Sequence, residues 1–178
     1  MDSLTSGYMR IENRDLHDAS LRDLTSYRRH DIGFVFQFYN LVPNLTALEN
    51  VELAAEIAKN PFDSLDILRQ VGLEDRSQNF PAQLSGGEQQ RVAIARALVK
   101  NPKVMLCDEP TGALDYETGK SVLALLQKMS RQHKMTMIII THNAVLADIA
   151  DRVLRMRSGK ISENYLNEKP KLVEELSW

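Results

Sequence analysis

Several short stretches of this 178-residue chain hold residue types that suit phosphate chemistry. In Leu84-Ser85-Gly86-Gly87-Glu88-Gln89-Gln90-Arg91 a serine and two glycines stand directly before a helical pattern. Free backbone N–H groups and the positive end of the helix dipole make an anion site there, and glycine lets backbone approach a phosphate closely. Ser-Gly-Gly alone reads better as an ordinary N-cap. Val104-Met105-Leu106-Cys107-Asp108-Glu109 runs an apolar stretch into two acids. That puts carboxylates at the C-terminal end of a buried strand, where open α/β sheets bind ligands. Asp108 could hold Mg²⁺, directly or through water, and Glu109 could polarise an attacking water as a general base. Taken alone, such a run is often a strand end with solvated acids. Pro110-Thr111-Gly112-Ala113-Leu114-Asp115 is a turn whose last residue can cap the next helix. His142 follows an apolar strand in Ile140-Thr141-His142-Asn143, where a lone histidine is usually a surface or capping residue. Gln37 ends Phe34-Val35-Phe36-Gln37, a strand closing on a polar side chain.

The elements that must position these residues follow from periodicity. Tyr8 to Asn13 alternates enough for a short strand, with Met9 and Ile11 on one face. A polar stretch ending in Tyr27-Arg28-Arg29-His30 leads to a buried strand over Ile32 to Gln37. Residues from about 45 to 100 are helical. Thr46-Ala47-Leu48-Glu49 is a capping box opening a helix to about Lys59. Asp63 or Ser64 starts a second helix that Gly72 can end. A third helix follows Gly87 and stops before Asn101-Pro102. Beyond Pro102, Val104 to Cys107 is a continuous apolar run, as in a buried parallel strand. The next helix places Val122, Leu125, Leu126 and Met129 on one face. Thr136 to Ile140 is predicted as another buried strand, with a short helix over Ala144 to Ala150 after it. Val153 to Met156 and Lys160 to Tyr165 flank Ser158-Gly159 as a hairpin. Strand alternating with helix implies a parallel sheet with helices on its faces, and residues 45–100 form a helical lobe inserted into it.

Composition limits the partners. The chain is 43% hydrophobic and 26% charged, the balance of a globular protein, and its net charge of -2 gives no electrostatic case for nucleic acid. The one cysteine, Cys107, lies in an apolar run, cannot form an internal disulfide and fits a reducing compartment. The most apolar stretch, Met135 to Ile140, is far shorter than the roughly 20 residues of a spanning helix, so membrane association is expected through a partner.

In order and spacing these motifs resemble the ABC-type ATPases, the motor subunits of membrane transporters. Leu84 to Arg91 resembles their signature motif, Val104 to Glu109 their Walker B strand, and Pro110 to Asp115 their D-loop, with Gly112 where serine is commoner. His142 resembles the switch histidine, and Gln37, followed by Phe38-Tyr39-Asn40-Leu41-Val42-Pro43, the Q-loop glutamine. Thr5-Ser6-Gly7, Leu48-Glu49-Asn50-Val51, Gly112-Ala113-Leu114-Asp115, Thr141-His142-Asn143, Ala150-Asp151-Arg152-Val153 and Ser158-Gly159-Lys160-Ile161 look like the lipoprotein-release and macrolide-export subfamily. The resemblance implies an α/β fold, a P-loop NTPase sheet with an inserted helical subdomain carrying the signature. It implies ATP and Mg²⁺ as ligands, with Gln37 and Asp108 at the metal and Glu109 and His142 catalytic. Ser85, Gly86 and Gly87 would close over the ATP of a second ATPase subunit, and Asp115 would couple the two sites. A separate permease would hold the protein on the inner face of the cell membrane. An ABC ATPase of translation or DNA repair is a weaker reading, because no second cassette or long heptad run occurs.

One family motif is not found. A phosphate loop is G-x-x-x-x-G-K-[ST] between a strand and a helix. Only Gly119-Lys120-Ser121 ends correctly, but position 114 is Leu114 and no apolar strand precedes it. In the family, the stretch resembling Leu4-Thr5-Ser6-Gly7 follows the loop's helix, so the fold is expected to be incomplete at the N-terminus. The loop's strand is expected centrally, beside the strand ending in Asp108. Its loss would uncover apolar faces and leave strand edges unpaired. The explanations, in order, are a truncated reading frame, half of a split gene, or a short protein that has lost nucleotide binding. Little ATPase activity is then expected of the chain alone. A non-catalytic subunit that offers its signature motif to a complete partner is the alternative.

Overall fold

A computed structural model describes residues 6–11 and 14–176. The strand expected from Tyr8 to Asn13 is shorter: β1 (Arg10–Ile11) pairs antiparallel with β2 (Arg14–Asp15). Glu12 and Asn13 lie outside the described residues, as do Leu4 and Thr5 of the family match. The polar stretch that follows is helix α1 (Leu21–His30). A capping box opens it, Ser20 and Asp23 each accepting the other's backbone N–H. Arg28, Arg29 and His30 sit in its last turn, where positive charge suits the helix dipole.

Three strands then make the sheet that matters for chemistry. β3 (Ile32–Val35), β4 (Val104–Asp108) and β5 (Thr136–Ile140) run parallel in that spatial order. The register sets Val35 beside Cys107 and Asp108 beside Ile140. All three strands therefore end on the same edge of the sheet. β4 is paired on both sides, which corrects the expectation of a missing strand next to Asp108; among the described residues β3 and β5 are the outer strands.

Alternation divides the sheet's two faces. Val35, Met105 and Cys107 enter the main core. Ile32 and Val104 join Leu16 and Tyr27 in a smaller one on the opposite face, with Phe34 and Leu106 packed against it. The expectation that β5 is buried needs correction. Met137 and Ile139 pack on the main core, but Ile138 and Ile140 are 46% and 58% exposed. Both continue the face that carries Leu106. Helix α1 packs on that face at β3.

Between β3 and β4 lie the predicted helices. α2 (Ala47–Ala55) opens on the Thr46/Glu49 capping box and ends earlier than Lys59. The chain must turn there so that the Phe62 N–H can bond the Val99 carbonyl. α3 (Ser64–Gln70) is capped by Asp63 and stops at Gly72, whose φ of +73° suits glycine. α4 (Gly86–Leu98) begins two residues before the expected point, with Ser85 and Glu88 as its capping box. Val51, Ile67, Leu68, Ile94 and Leu98 share one core with the sheet residues Val35 and Met105. α5 (Tyr116–His133) buries Val122, Leu126 and Met129, with Leu125 half-buried at its edge. The predicted last helix is 3-10 in form, Ala144–Ile149. The hairpin is β6 (Arg152–Arg157) with β7 (Lys160–Leu166).

Candidate active site

Because β3, β4 and β5 end together, the polar residues that follow each strand share one edge. Gln37 comes after β3, Asp108 closes β4 with Glu109 next, and Thr141 and His142 follow β5. The Glu109 N–H bonds the Ile140 carbonyl at 2.9 Å, carrying the β4–β5 ladder one step past the strands. This brings the Glu109 side chain to residues more than thirty positions later. Its Oε2 accepts from the Thr141 hydroxyl at 3.0 Å, and its Oε1 accepts from the His142 N–H and from His142 Nδ1, both at 2.7 Å. Facing a carboxylate, Nδ1 carries the proton, and Nε2 is left available at the surface.

Burial pushes the Glu109 carboxyl up, but the bonds from His142 and Thr141 outweigh it and hold the group below the usual carboxylate range. Glu109 is thus ionised at neutral pH, 22% exposed, beside an imidazole that is 87% exposed. Its backbone stands at φ +43°, a left-handed conformation that costs an L-residue energy and is common at functional sites. Asp108 presents an exposed carboxylate beside it.

Gln37 is half-buried, and its amide lies against Gly112. A Cβ on Gly112 would come within 2.9 Å of Gln37 Nε2 and 3.4 Å of Glu109 Cβ. Glycine in place of serine therefore leaves room for the Gln37 side chain next to Glu109. Among the described residues no group of three or more His, Cys, Asp or Glu side chains could cage a metal. One carboxylate and one carboxamide fit Mg²⁺, which keeps waters and is shared with substrate phosphates.

Ser85, Gly86 and Gly87 form a second cluster. Ser85 caps α4 through the Glu88 N–H, and the Ser85 N–H holds the Glu88 carboxylate at 2.8 Å. That backbone bond lowers the Glu88 pKa. Gly87 packs on α5, where a Cβ would meet Thr118 Cγ2 at 2.3 Å. Asp115 caps α5 by accepting the Thr118 N–H, and this contact with Thr118 lowers its pKa. Thr118 thus joins the two sequence motifs. Among the described residues no hydrogen bond links Ser85 or Asp115 to the Glu109–His142 pair. Gly119-Lys120-Ser121 lies inside α5, and Lys120 Nζ donates to the Glu174 and Leu176 carbonyls, so it is no phosphate loop.

Thr141 was quoted above only for family likeness, and its bond to Glu109 gives it a local task. A hydroxyl directly before the histidine was the available signal. Gln90 and Thr118 were not singled out; the residues they meet across the fold, Pro110 and Phe36 for Gln90 and Gly87 for Thr118, are distant in sequence.

A model of the ABC transporter family matches residues 1–112. The lipoprotein-releasing system ATP-binding protein LolD of Syntrophotalea carbinolica is 45% identical over 167 residues, covering 91% of this chain and 74% of that protein. The macrolide export ATP-binding/permease protein MacB of Shigella flexneri is 43% identical over 169 residues, covering 92% of this chain and 26% of that protein. A solved ATP-binding cassette, in a dimeric post-hydrolysis state bound to ADP and Pi, superposes with a TM-score of 0.78 at 40% identity, over 93% of this chain and 75% of that one. The chain spans 39% of the length of the curated relatives that match it from end to end. With a parallel sheet whose strand ends gather Gln37, Asp108, Glu109 and His142, the chain belongs to the ABC transporter family as an ATP-binding cassette domain.

Proposed function

We propose that this chain is the ATP-binding and ATP-hydrolysing part of a motor that powers export or extraction through a separate membrane permease. The observation that carries this reading is the Glu109 carboxylate held ionised by Thr141 and His142 at the end of β4. Glu109 orients and polarises the attacking water. Its lowered pKa keeps it ionised and able to accept a hydrogen bond from that water. His142 fixes the carboxylate through Nδ1 and turns Nε2 toward the place of the transferred phosphoryl group. Asp108 and Gln37 would hold Mg²⁺, which neutralises phosphate charge when bound. Ser85, Gly86 and Gly87, at the N-terminus of α4, serve the ATP of a second cassette, and Asp115 links that face to the chain's own site. Residues 45–100 act as the helical subdomain that carries Ser85. The exposed Phe38 beside Gln37 supports a protein contact there, which we assign to the permease on the inner face of the cell membrane. No helix among the described residues is long and apolar enough to cross a membrane.

These 178 residues contain no G-x-x-x-x-G-K-[ST], so the isolated chain is expected to hydrolyse little or no ATP. A second reading is a non-catalytic subunit offering Ser85–Gly87 to a complete cassette. Purification with a complete cassette and its permease, without ATP binding by the chain alone, would support it. The main reading is tested with a strand–G-x-x-x-x-G-K-[ST]–helix segment placed ahead of residue 1. Such a chain should hydrolyse ATP, and Glu109→Gln should abolish turnover while keeping ATP binding. Full turnover in that variant would remove Glu109 as the residue that activates water.

A further inference from the structure

Helix α4 carries Ser85–Gly87 at its N-terminus, yet its interior reaches the other motifs. Gln90 is wholly buried, with 0% exposure. Its Nε2 donates to the Pro110 carbonyl at 2.8 Å and lies 3.4 Å from the Phe36 carbonyl. Pro110 directly follows Glu109, and Phe36 directly precedes Gln37. A single NH₂ group therefore holds the neighbour of each of two site residues. The carboxamide cannot be turned over, because Oε1 would then face two carbonyl oxygens, acceptor against acceptor. In the observed orientation Oε1 is buried and has no hydrogen-bond partner among the described residues. Such an orphan acceptor is unfavourable, and a position needed only for packing would avoid it with an apolar side chain of similar size. Farther along α4, Arg96 donates to the Tyr39 carbonyl at 2.9 Å and to the Asn40 carbonyl, so the helix also grips the loop after Gln37.

We infer that Gln90 is a positioning residue that fixes Glu109 and Gln37 relative to the helix carrying Ser85–Gly87, so that the chain's own site and the half-site it offers a partner move as one body. This rests on the reading of Glu109 given above.

The test uses the full chain and two measurements. In the unaltered protein, the Gln90 side-chain amide protons should exchange slowly with solvent and show coupling across the hydrogen bond to the Pro110 carbonyl. Exchange as fast as that of an exposed glutamine would overturn the inference, whatever any variant does. The second measurement compares, at pH 7, the chemical shifts of the Glu109 side-chain carboxyl carbon and of the Gln37 side-chain amide in the parent and in Gln90→Met, which keeps the length and removes both N–H donors. If Gln90 sets these positions, both shifts move. A packing role alone would lower the melting temperature and leave the shifts in place, and that result would also overturn the inference. His142→Ala serves as the control. If it leaves the carboxyl shift unchanged, the Glu109 reading itself fails; if it moves that shift and Gln90→Met does not, only the role of Gln90 falls.

Discussion

Replacing Glu109 by glutamine should destabilise the chain at neutral pH and should not do so in acid. The carboxylate accepts from the Thr141 hydroxyl, the His142 N–H and His142 Nδ1. Hydrogen bonds to a charged group are worth about 1.5–3 kcal/mol each and neutral ones about 0.5–1.5 kcal/mol. The imidazole contact counts for little, since His142 is 87% exposed and solvent screens it. The Thr141 hydroxyl and the His142 N–H remain. A carboxamide can still accept one of them and can donate to the other oxygen, so the loss is the charge, not the contacts. Allowing for the partial exposure of Glu109, the net cost at pH 7 is about 1–2 kcal/mol, or about 2–8 °C in melting temperature for a domain of this size. The pH dependence fixes the sign. Glu109 has a depressed pKa in the folded chain, so its stabilisation is complete above the unfolded carboxylate value of about 4.3 and is lost as pH falls through the folded value. Urea unfolding of both chains at pH 7 and near pH 3 reads the difference directly. Other carboxylates with lowered pKa values, such as Glu88 and Asp115, weaken both chains alike and drop out. An equal gap at both pH values, or a glutamine variant as stable as the parent at pH 7, would refute the reasoning.

Two further substitutions probe the backbone around the same edge. At φ +43° an L-residue is disfavoured by about 1–2 kcal/mol, against a reduction in unfolded-chain entropy worth about 0.4–1 kcal/mol to alanine. Glu109→Gly should therefore be more stable than Glu109→Ala by roughly 0.5–1 kcal/mol in paired denaturation curves, the reverse of the order at an ordinary helical position. Gly87→Ala should cost about 1–3 kcal/mol, because its Cβ meets Thr118 Cγ2 at 2.3 Å. Adding Thr118→Ser removes that methyl, and recovery of most of the loss in a thermal melt is expected; no recovery would mean that the two helices do not meet there.

Much of this arrangement was legible in the sequence because it is local. The apolar run into Asp108 and Glu109 is a strand ending in acids, and the strand is there. Thr46 with Glu49 is a capping box, and it forms. Helix α1 was not legible as a helix, since only Tyr27 in it is buried. Its apolar stripe is thin, Leu21, Leu24 and Tyr27 at i, i+3 and i+6, with Leu24 and Tyr27 in the smaller core. Thr136 to Ile140 misled for the opposite reason. Five residues of mostly apolar character look buried on both faces, but burial also depends on what packs above them. At β5 the described elements cover Met137 and Ile139 and leave Ile138 and Ile140 open.

The roles within the site were the least legible, because they depend on contacts between distant segments. Gly112 looked like a tolerated variant of serine within its own motif. In the fold it faces the Gln37 amide, whose Nε2 would be only 2.9 Å from a serine Cβ. Gln90 looked like one more polar residue in a helix that follows two glycines. In the fold it is buried and bonded to carbonyls 20 and 54 positions away. A polar residue in an otherwise buried helical run (Val92, Ala93, Ile94 and Ala95 follow it) is the trace such a contact leaves in sequence. It says that a partner is needed and not which one. The type of each chemistry-bearing residue is thus written locally, while its position is set by side chains such as Gln90, Thr118 and Thr141, which belong to other motifs or to none.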